Sequence, residues 1–235
     1  MKTTILQFAG ILLLAGFFFR CSEKDDGNVP PEIISWSKPC QFRNEISGPW
    51  GLSMKSDNGF LVGGYIAYND TNLRHGYVMN LDPNGDTIWC KQIDIEDYYG
   101  CDVYYATQVS SDEIMAAGYC YGYDKESARF IVWLNGEGHV TKSVMLPVLT
   151  GNTVWECKLF ALGNGNFYYV SCLSKVGPDT DMSDHSLQVD LLNSEGQILR
   201  SNEYLNVNAT LDKVRLLDDG KMLVTGSTYP GIVPD

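Results

Sequence analysis

The stretch from Ser47 to Ile93 returns twice in altered form and begins a fourth time, and no other feature of the chain restricts its fold so strongly. Within this unit, four apolar runs of strand length are separated by Asp57-Asn58-Gly59, by the polar residues 69–75 and by Pro83-Asn84-Gly85. Such punctuation predicts four antiparallel strands, a to d, with the Asn-Gly pairs closing two-residue hairpin loops because both residues accept positive φ. One four-stranded sheet cannot bury both of its faces. Several copies must therefore pack on one another, and the radial solution is a β-propeller.

The spacing agrees with that register. The c-to-d turn glycines Gly85, Gly138 and Gly196 stand 53 and 58 positions apart, and the a-to-b glycines Gly165 and Gly220 stand 55 apart, which is the length of a propeller blade. Strict polar–apolar alternation is missing, as expected of strands covered on both faces by neighbouring sheets. Small residues in the second strands, Gly63-Gly64, Ala116-Ala117-Gly118 and Gly226, suit a close approach of sheet to sheet. The predicted fold class is all-β: a β-propeller of four-stranded antiparallel blades, incomplete at about three and a half blades. Its parts are an orphan outer strand at 33–42, blades at about 47–93, 100–146 and 151–204, and a partial blade at 206–235. One strand fewer than a closed four-bladed ring needs reads as the front part of a longer propeller, since an uncovered edge invites aggregation.

Ahead of the repeats, Lys2 precedes an apolar run from Ile5 to Phe19 that is short for a membrane span, and Cys21 follows it, with SEKDDGNVPP behind. This order resembles a bacterial lipoprotein signal, in which cleavage leaves the cysteine N-terminal and lipidated. Glu23, Asp25 and Asp26 resemble the export tags of surface lipoproteins in gut anaerobes. The resemblance implies a signal peptide over residues 1–20, lipidation at Cys21, and attachment to the outer membrane or cell surface. Residues 21–32, polar and ending in Pro30-Pro31, read as a disordered tether.

The segments SDNGFLVGGYIA, LDPNGDTIWCK and LDDGKMLVTGST resemble the propeller repeats of secreted and lipid-anchored bacterial proteins, and LDPNGDTIW is also similar to quinoprotein (PQQ-like) repeats. Such repeats occur in enzymes, assembly factors and binding proteins, so the resemblance implies a fold and no activity. Trp89 has no aromatic counterpart in the later blades, where Val140 and Leu199 stand, and no cofactor is expected.

Charge excludes one class of partner. With 17 Lys plus Arg against 29 Asp plus Glu, the net charge is −12, and no basic cluster interrupts it, so nucleic acid is not expected to bind. Six cysteines follow Cys21. In an exported protein they permit disulfides, with Cys90 and Cys101, which flank one loop, as the first candidates, while buried free thiols remain the equal alternative. No metal is expected: His75, His139 and His185 fall in different blades, and DTDMSDHSLQVD departs from a calcium loop where Asp184 replaces the turn glycine. Ser56-Asp57-Asn58-Gly59 is similar to a sialidase Asp-box, and a hairpin turn explains it. No nucleophile-elbow, phosphate-loop or paired-carboxylate motif appears, so no catalytic residue is assigned.

The two ends of the blades differ. The a-to-b and c-to-d turns are short, whereas the b-to-c and d-to-a connections are longer, and all of the longer ones emerge on one side. That side gathers Trp50, Tyr68, Asp70, Arg74, Tyr98, Tyr99, Tyr121, Tyr123, Asp124, Trp155 and Asp181. Aromatic rings stack on sugar faces while carboxylates accept from hydroxyls, so a glycan or a surface protein is the expected ligand. The expectation is a lipid-anchored extracytoplasmic binding or scaffolding module. The alternative is a propeller glycoside hydrolase or polysaccharide lyase, with Asp70, Asp97, Asp124 and Asp181 set around an axial funnel.

Overall fold

The computed structural model describes residues 45–68, 73–122, 126–148, 152–175, 185–204, 213–217 and 221–225. Every described residue lies within the unit Lys38–Asp235. The expected signal peptide, Cys21, the tether and the orphan strand lie outside the described residues.

The described residues form three four-stranded antiparallel sheets and a hairpin. The first sheet runs in order through β1 (Glu45–Met54), β2 (Phe60–Tyr68), β3 (Arg74–Leu81) and β4 (Thr87–Ile93). The second comprises β5 (Gly100–Ser110), β6 (Glu113–Tyr121), β7 (Ala128–Asn135) and β8 (Val140–Pro147), and the third β9 (Asn152–Ala161), β10 (Phe167–Lys175), β11 (His185–Leu192) and β12 (Ile198–Tyr204). A two-stranded piece, β13 (Lys213–Leu216) with β14 (Met222–Thr225), follows. These are the blades of a β-propeller. Each pairs its strands only with sequence neighbours, and each packs its face on the next.

Period-two geometry explains why the middle strands read as continuous apolar runs. Along β6, Ile114 and Ala116 enter a core shared with Leu61, Val78 and Ile93 of the first blade, whereas Met115 and Ala117 enter one shared with Leu159, Phe167 and Tyr169 of the third. Phe130 and Ile131, adjacent on β7, divide in the same way. A strand facing two cores has no polar side to show. Each fully buried side chain of this size contributes about 1.5–3 kcal/mol. Val170 and Cys172 on the far face of the third blade meet Val214, Met222 and Val224 of the hairpin, extending the stack. By contrast, β12 is almost wholly exposed, which makes the fourth strands outermost and the first strands innermost. At the inner position a Cβ on Gly51 would come within 2.2 Å of the Tyr104 carbonyl oxygen, so glycine is what lets β1 lie against β5.

The turns differ from expectation in one respect. Apart from the β5–β6 turn, where Ser110 pairs with Glu113, the hairpin turns among the described residues are three-residue loops, closed by pairs such as Asp82 N to the Asp86 carbonyl at 2.9 Å and Asn135 N to the His139 carbonyl at 3.0 Å. The last loop residue is left-handed: Gly85, Gly138, Gly165 and Gly196 in four turns and Asn58, rather than Gly59, in another. In three of these turns an Asx side chain stands just before the loop. The Asp82, Asn135 and Asn193 Oδ1 atoms each accept two backbone N–H groups across their turn, which holds open a loop one residue longer than the type I′ turn. These turns also latch blade to blade, as Trp89 Nε1 donates to the Gly136 carbonyl at 2.9 Å.

The Cys90–Cys101 disulfide is corrected. Cys90 and Cys101 do not bond to each other, and Cys101 and Cys157 are free thiols. Cys101 lies in the core between the first two blades, where its thiol donates to the Ile93 carbonyl at 3.0 Å, while Cys90 packs on the opposite face of its sheet with Tyr77 and Met79. Strand alternation points the two sulfurs into different cores.

Candidate functional site

A carboxylate inside an apolar strand is the centre of the site. Asp102 lies on β5 with no exposed surface, and a buried charge requires partners. Its Oδ2 accepts from the Tyr121 hydroxyl at 2.6 Å and from Arg74 Nη1 at 3.1 Å. Arg74 stands at the start of β3 in the first blade, so the ion pair crosses the blade interface. The guanidinium also lies over the Tyr65 ring, 4.4 Å from its centroid. The Asp102 Oδ1 atom is buried without a hydrogen-bond partner among the described residues. Burial raises the Asp102 carboxyl above the ordinary aspartate value, and the Tyr121 hydrogen bond, the Arg74 charge and the neighbouring Trp50 side chain oppose that rise without cancelling it. Burial, then the nearby Asp102 charge, drives the Tyr121 phenol far up, so Tyr121 keeps its proton and acts as a donor.

Around this carboxylate the innermost strands repeat one device. Pairing of β1 with β2 shifts between Pro49 and Gly51, that of β5 with β6 between Val103 and Tyr105, and that of β9 with β10 at Val154 and Glu156, opposite Leu173 and Cys172. The extra residues are Trp50, Tyr104 and Trp155. A β-bulge re-aims the side chain it carries, and here each bulge carries an aromatic ring. The Trp50 ring lies 5.7 Å from Tyr65 and 5.6 Å from Tyr104. Tyr104 is buried, and its hydroxyl donates to the Val154 carbonyl of the third blade at 3.1 Å. Tyr119 and Tyr121 meet edge to face at 5.2 Å.

Of the residues singled out by sequence, Trp50, Arg74 and Tyr121 converge on Asp102, and Trp155 occupies the third blade's bulge, two residues further from its hairpin. Tyr68 belongs to a separate cluster, where it packs edge-on against His75 at 5.2 Å and donates to Gln92 Oε1 at 3.3 Å. His75 sits on β3, paired with Asp94. Tyr98 packs against the core between the first two blades. Tyr99 is exposed, and its backbone N–H donates to the Tyr121 carbonyl at 3.0 Å. Asp97 is an exposed turn residue with φ of 66°. Asp70, Tyr123, Asp124 and Asp181 lie outside the described residues.

Sequence reading passed over Asp102, Tyr65 and Tyr104. Asp102 carried a signal, since a lone acid in the run CDVYYA contradicts a strand buried on both faces. Chemically, the cluster offers a fixed acceptor, a donor phenol and aromatic surface. No hydrogen bond or ion pair joins Asp102 to a second carboxyl among the described residues, and no group of three or more His, Cys, Asp or Glu is placed there to hold a metal.

No family model matches the chain, and no curated protein sequence matches it. Among solved structures, it is similar to an α-L-arabinanase from Penicillium chrysogenum complexed with arabinobiose, at 11% identity and TM-score 0.47, over 74% of this chain and 52% of that one. It is also similar to an α-L-arabinofuranosidase from Fusarium graminearum in complex with an iminosugar inhibitor, at 9% identity and TM-score 0.44, over 71% of this chain and 48% of that one. The chain spans about half the length of each of these proteins.

Proposed function

We propose that this chain is a lipid-anchored, extracytoplasmic β-propeller that binds glycan as a recognition or scaffolding module. The observation that carries the reading is the buried Asp102 carboxylate, held by Tyr121 and Arg74 and walled by the rings of Trp50, Tyr65 and Tyr104. Saccharides need flat apolar surface for their ring faces and fixed polar groups for their hydroxyls, and this cluster supplies both. Anchorage at Cys21 and the surface location rest on the lipoprotein-like N-terminus.

A second reading has one observation in its favour. A carboxyl raised by burial above its ordinary value is the kind a glycosidase uses as general acid, which would make Asp102 a proton donor in a propeller hydrolase or lyase. Immobilised glycans and a reducing-end assay separate the two. The module reading expects saturable binding by the full chain, weakened about tenfold in Asp102→Ala because Arg74 and Tyr121 lose the acceptor that positions them, with no release of reducing ends. Release that Asp102→Asn abolishes would replace the module with the enzyme. No saturable binding to any glycan would end both.

A further inference from the structure

We infer that Trp50 and Trp155 are two platforms of one extended site, and that its ligand is an uncharged polysaccharide chain running from the first blade towards the third. The inference rests on the glycan-binding reading and specifies its ligand. Three observations carry it.

The first is the recurrence of the bulge. Trp50, Tyr104 and Trp155 each occupy a bulge in consecutive innermost strands, Trp155 two residues further from its hairpin than Trp50, so an aromatic ring recurs at an irregularity of each of these strands. The second is the difference in their exposure. Trp50 and Trp155 are both 49% exposed, whereas Tyr104 between them is 5% exposed. Tyr104 is a spacer: its ring meets Trp50 and its hydroxyl reaches the carbonyl of Val154, the residue before Trp155. Two exposed rings on either side of a buried one suit successive units of a chain better than a single sugar.

The third observation is charge. Arg74 is committed to Asp102 at 3.1 Å and Lys158, three residues beyond Trp155, to Glu156 at 2.6 Å. Both described cations beside the platforms are therefore neutralised within the protein, and the chain as a whole carries −12. An acidic polymer would meet repulsion without a compensating cation. A polymer without charge meets no such penalty.

The test is affinity electrophoresis of the full chain through gels containing soluble polysaccharides with glucan, xylan, mannan or galactan backbones, alongside polygalacturonate. Expected is retardation by at least one uncharged polymer and none by polygalacturonate, with Trp50→Ala and Trp155→Ala each weakening association roughly tenfold and the double variant losing it. Trp50→Phe and Trp155→Phe, which keep a ring on each bulge, should retain most of the retardation and exclude misfolding as the cause. Retardation abolished by one alanine variant and untouched by the other would overturn the two-platform site while leaving glycan binding in place. Equal retardation by polygalacturonate would overturn the uncharged ligand. No retardation by any polymer would remove the glycan-binding reading itself.

Discussion

Arg129 and Asp190 meet at 2.6 Å with neither side chain exposed, joining β7 of the second blade to β11 of the third. The guanidinium also donates to Ser171 Oγ at 3.1 Å and to the Pro147 carbonyl at 2.9 Å, and Gln188 Nε2 donates to Asp190 Oδ1 at 3.1 Å. The pair is a rivet between blades. Removing one partner strands the other charge in the interior, so Arg129→Met should cost about 3–5 kcal/mol in urea denaturation, and the double variant Arg129→Met/Asp190→Leu should recover most of it. An unchanged midpoint in the single variant would show that water reaches the pair.

Tyr104 makes a lighter contact across the same interface. Tyr104→Phe keeps the ring against Trp50 and leaves the Val154 carbonyl without its donor, a loss of about 1–3 kcal/mol by the same measurement.

The Asp102 carboxyl sets a pH dependence of known sign. Its pKa in the fold lies above the ordinary 3.8, burial being the main cause, so the folded state binds this proton more tightly than the unfolded chain does. Its contribution is fully present below 3.8 and is lost as pH rises through the raised value. In denaturant titrations at a series of pH values, the stability of the wild type relative to Asp102→Asn should therefore fall as pH rises from 3.8 through that interval. A relative stability that rises over the same interval would mean that Arg74 and Tyr121 outweigh burial.

Two turn glycines should respond oppositely to alanine. Gly138 has φ of +81°, and a Cβ there would lie 2.9 Å from the Trp89 ring, whereas Gly163 has open space around it and no left-handed backbone. Gly138→Ala should lower stability by about 1–2 kcal/mol or more. Gly163→Ala should leave it unchanged or raise it by about 0.4–1 kcal/mol, by restricting the unfolded chain. Thermal melts of the two variants give the comparison.

Burial pushes the Cys157 thiol up to about 12 and the Cys172 thiol up to about 11. Neither is a thiolate at neutral pH, and the thiolate is the reactive form. Brief alkylation of the native protein followed by peptide mass spectrometry should leave both unlabelled and modify the half-buried Cys90 ahead of them; early labelling of Cys157 would show the interface between the second and third blades opening.

The blade itself was legible because its determinants are local. Leu-Asp-Pro-Asn-Gly-Asp and Leu-Asn-Ser-Glu-Gly-Gln hold both the turn and its cap within six residues, and the apolar runs between such turns have only one sheet to form. Even so, the loop length was misjudged, since Asn-Gly alone does not reveal that the preceding Asx closes a longer loop. For the site, Trp50, Arg74 and Tyr121 could be nominated from their place near the long connections, whereas Tyr65 and Tyr104, in mid-strand among other aromatic residues, could not.

What the sequence determined alone is the repeating four-stranded antiparallel unit, since hairpin turns and strand alternation act between residues close in the chain. Which residues form the site was decided only when the blades packed. Arg74 finds Asp102 across 28 positions, Tyr104 finds Val154 across 50 and Arg129 finds Asp190 across 61. Those partnerships follow from bulges that re-aim side chains and from a glycine that lets neighbouring backbones touch. Both act between sheets, and a single blade read by itself contains only one member of each pair.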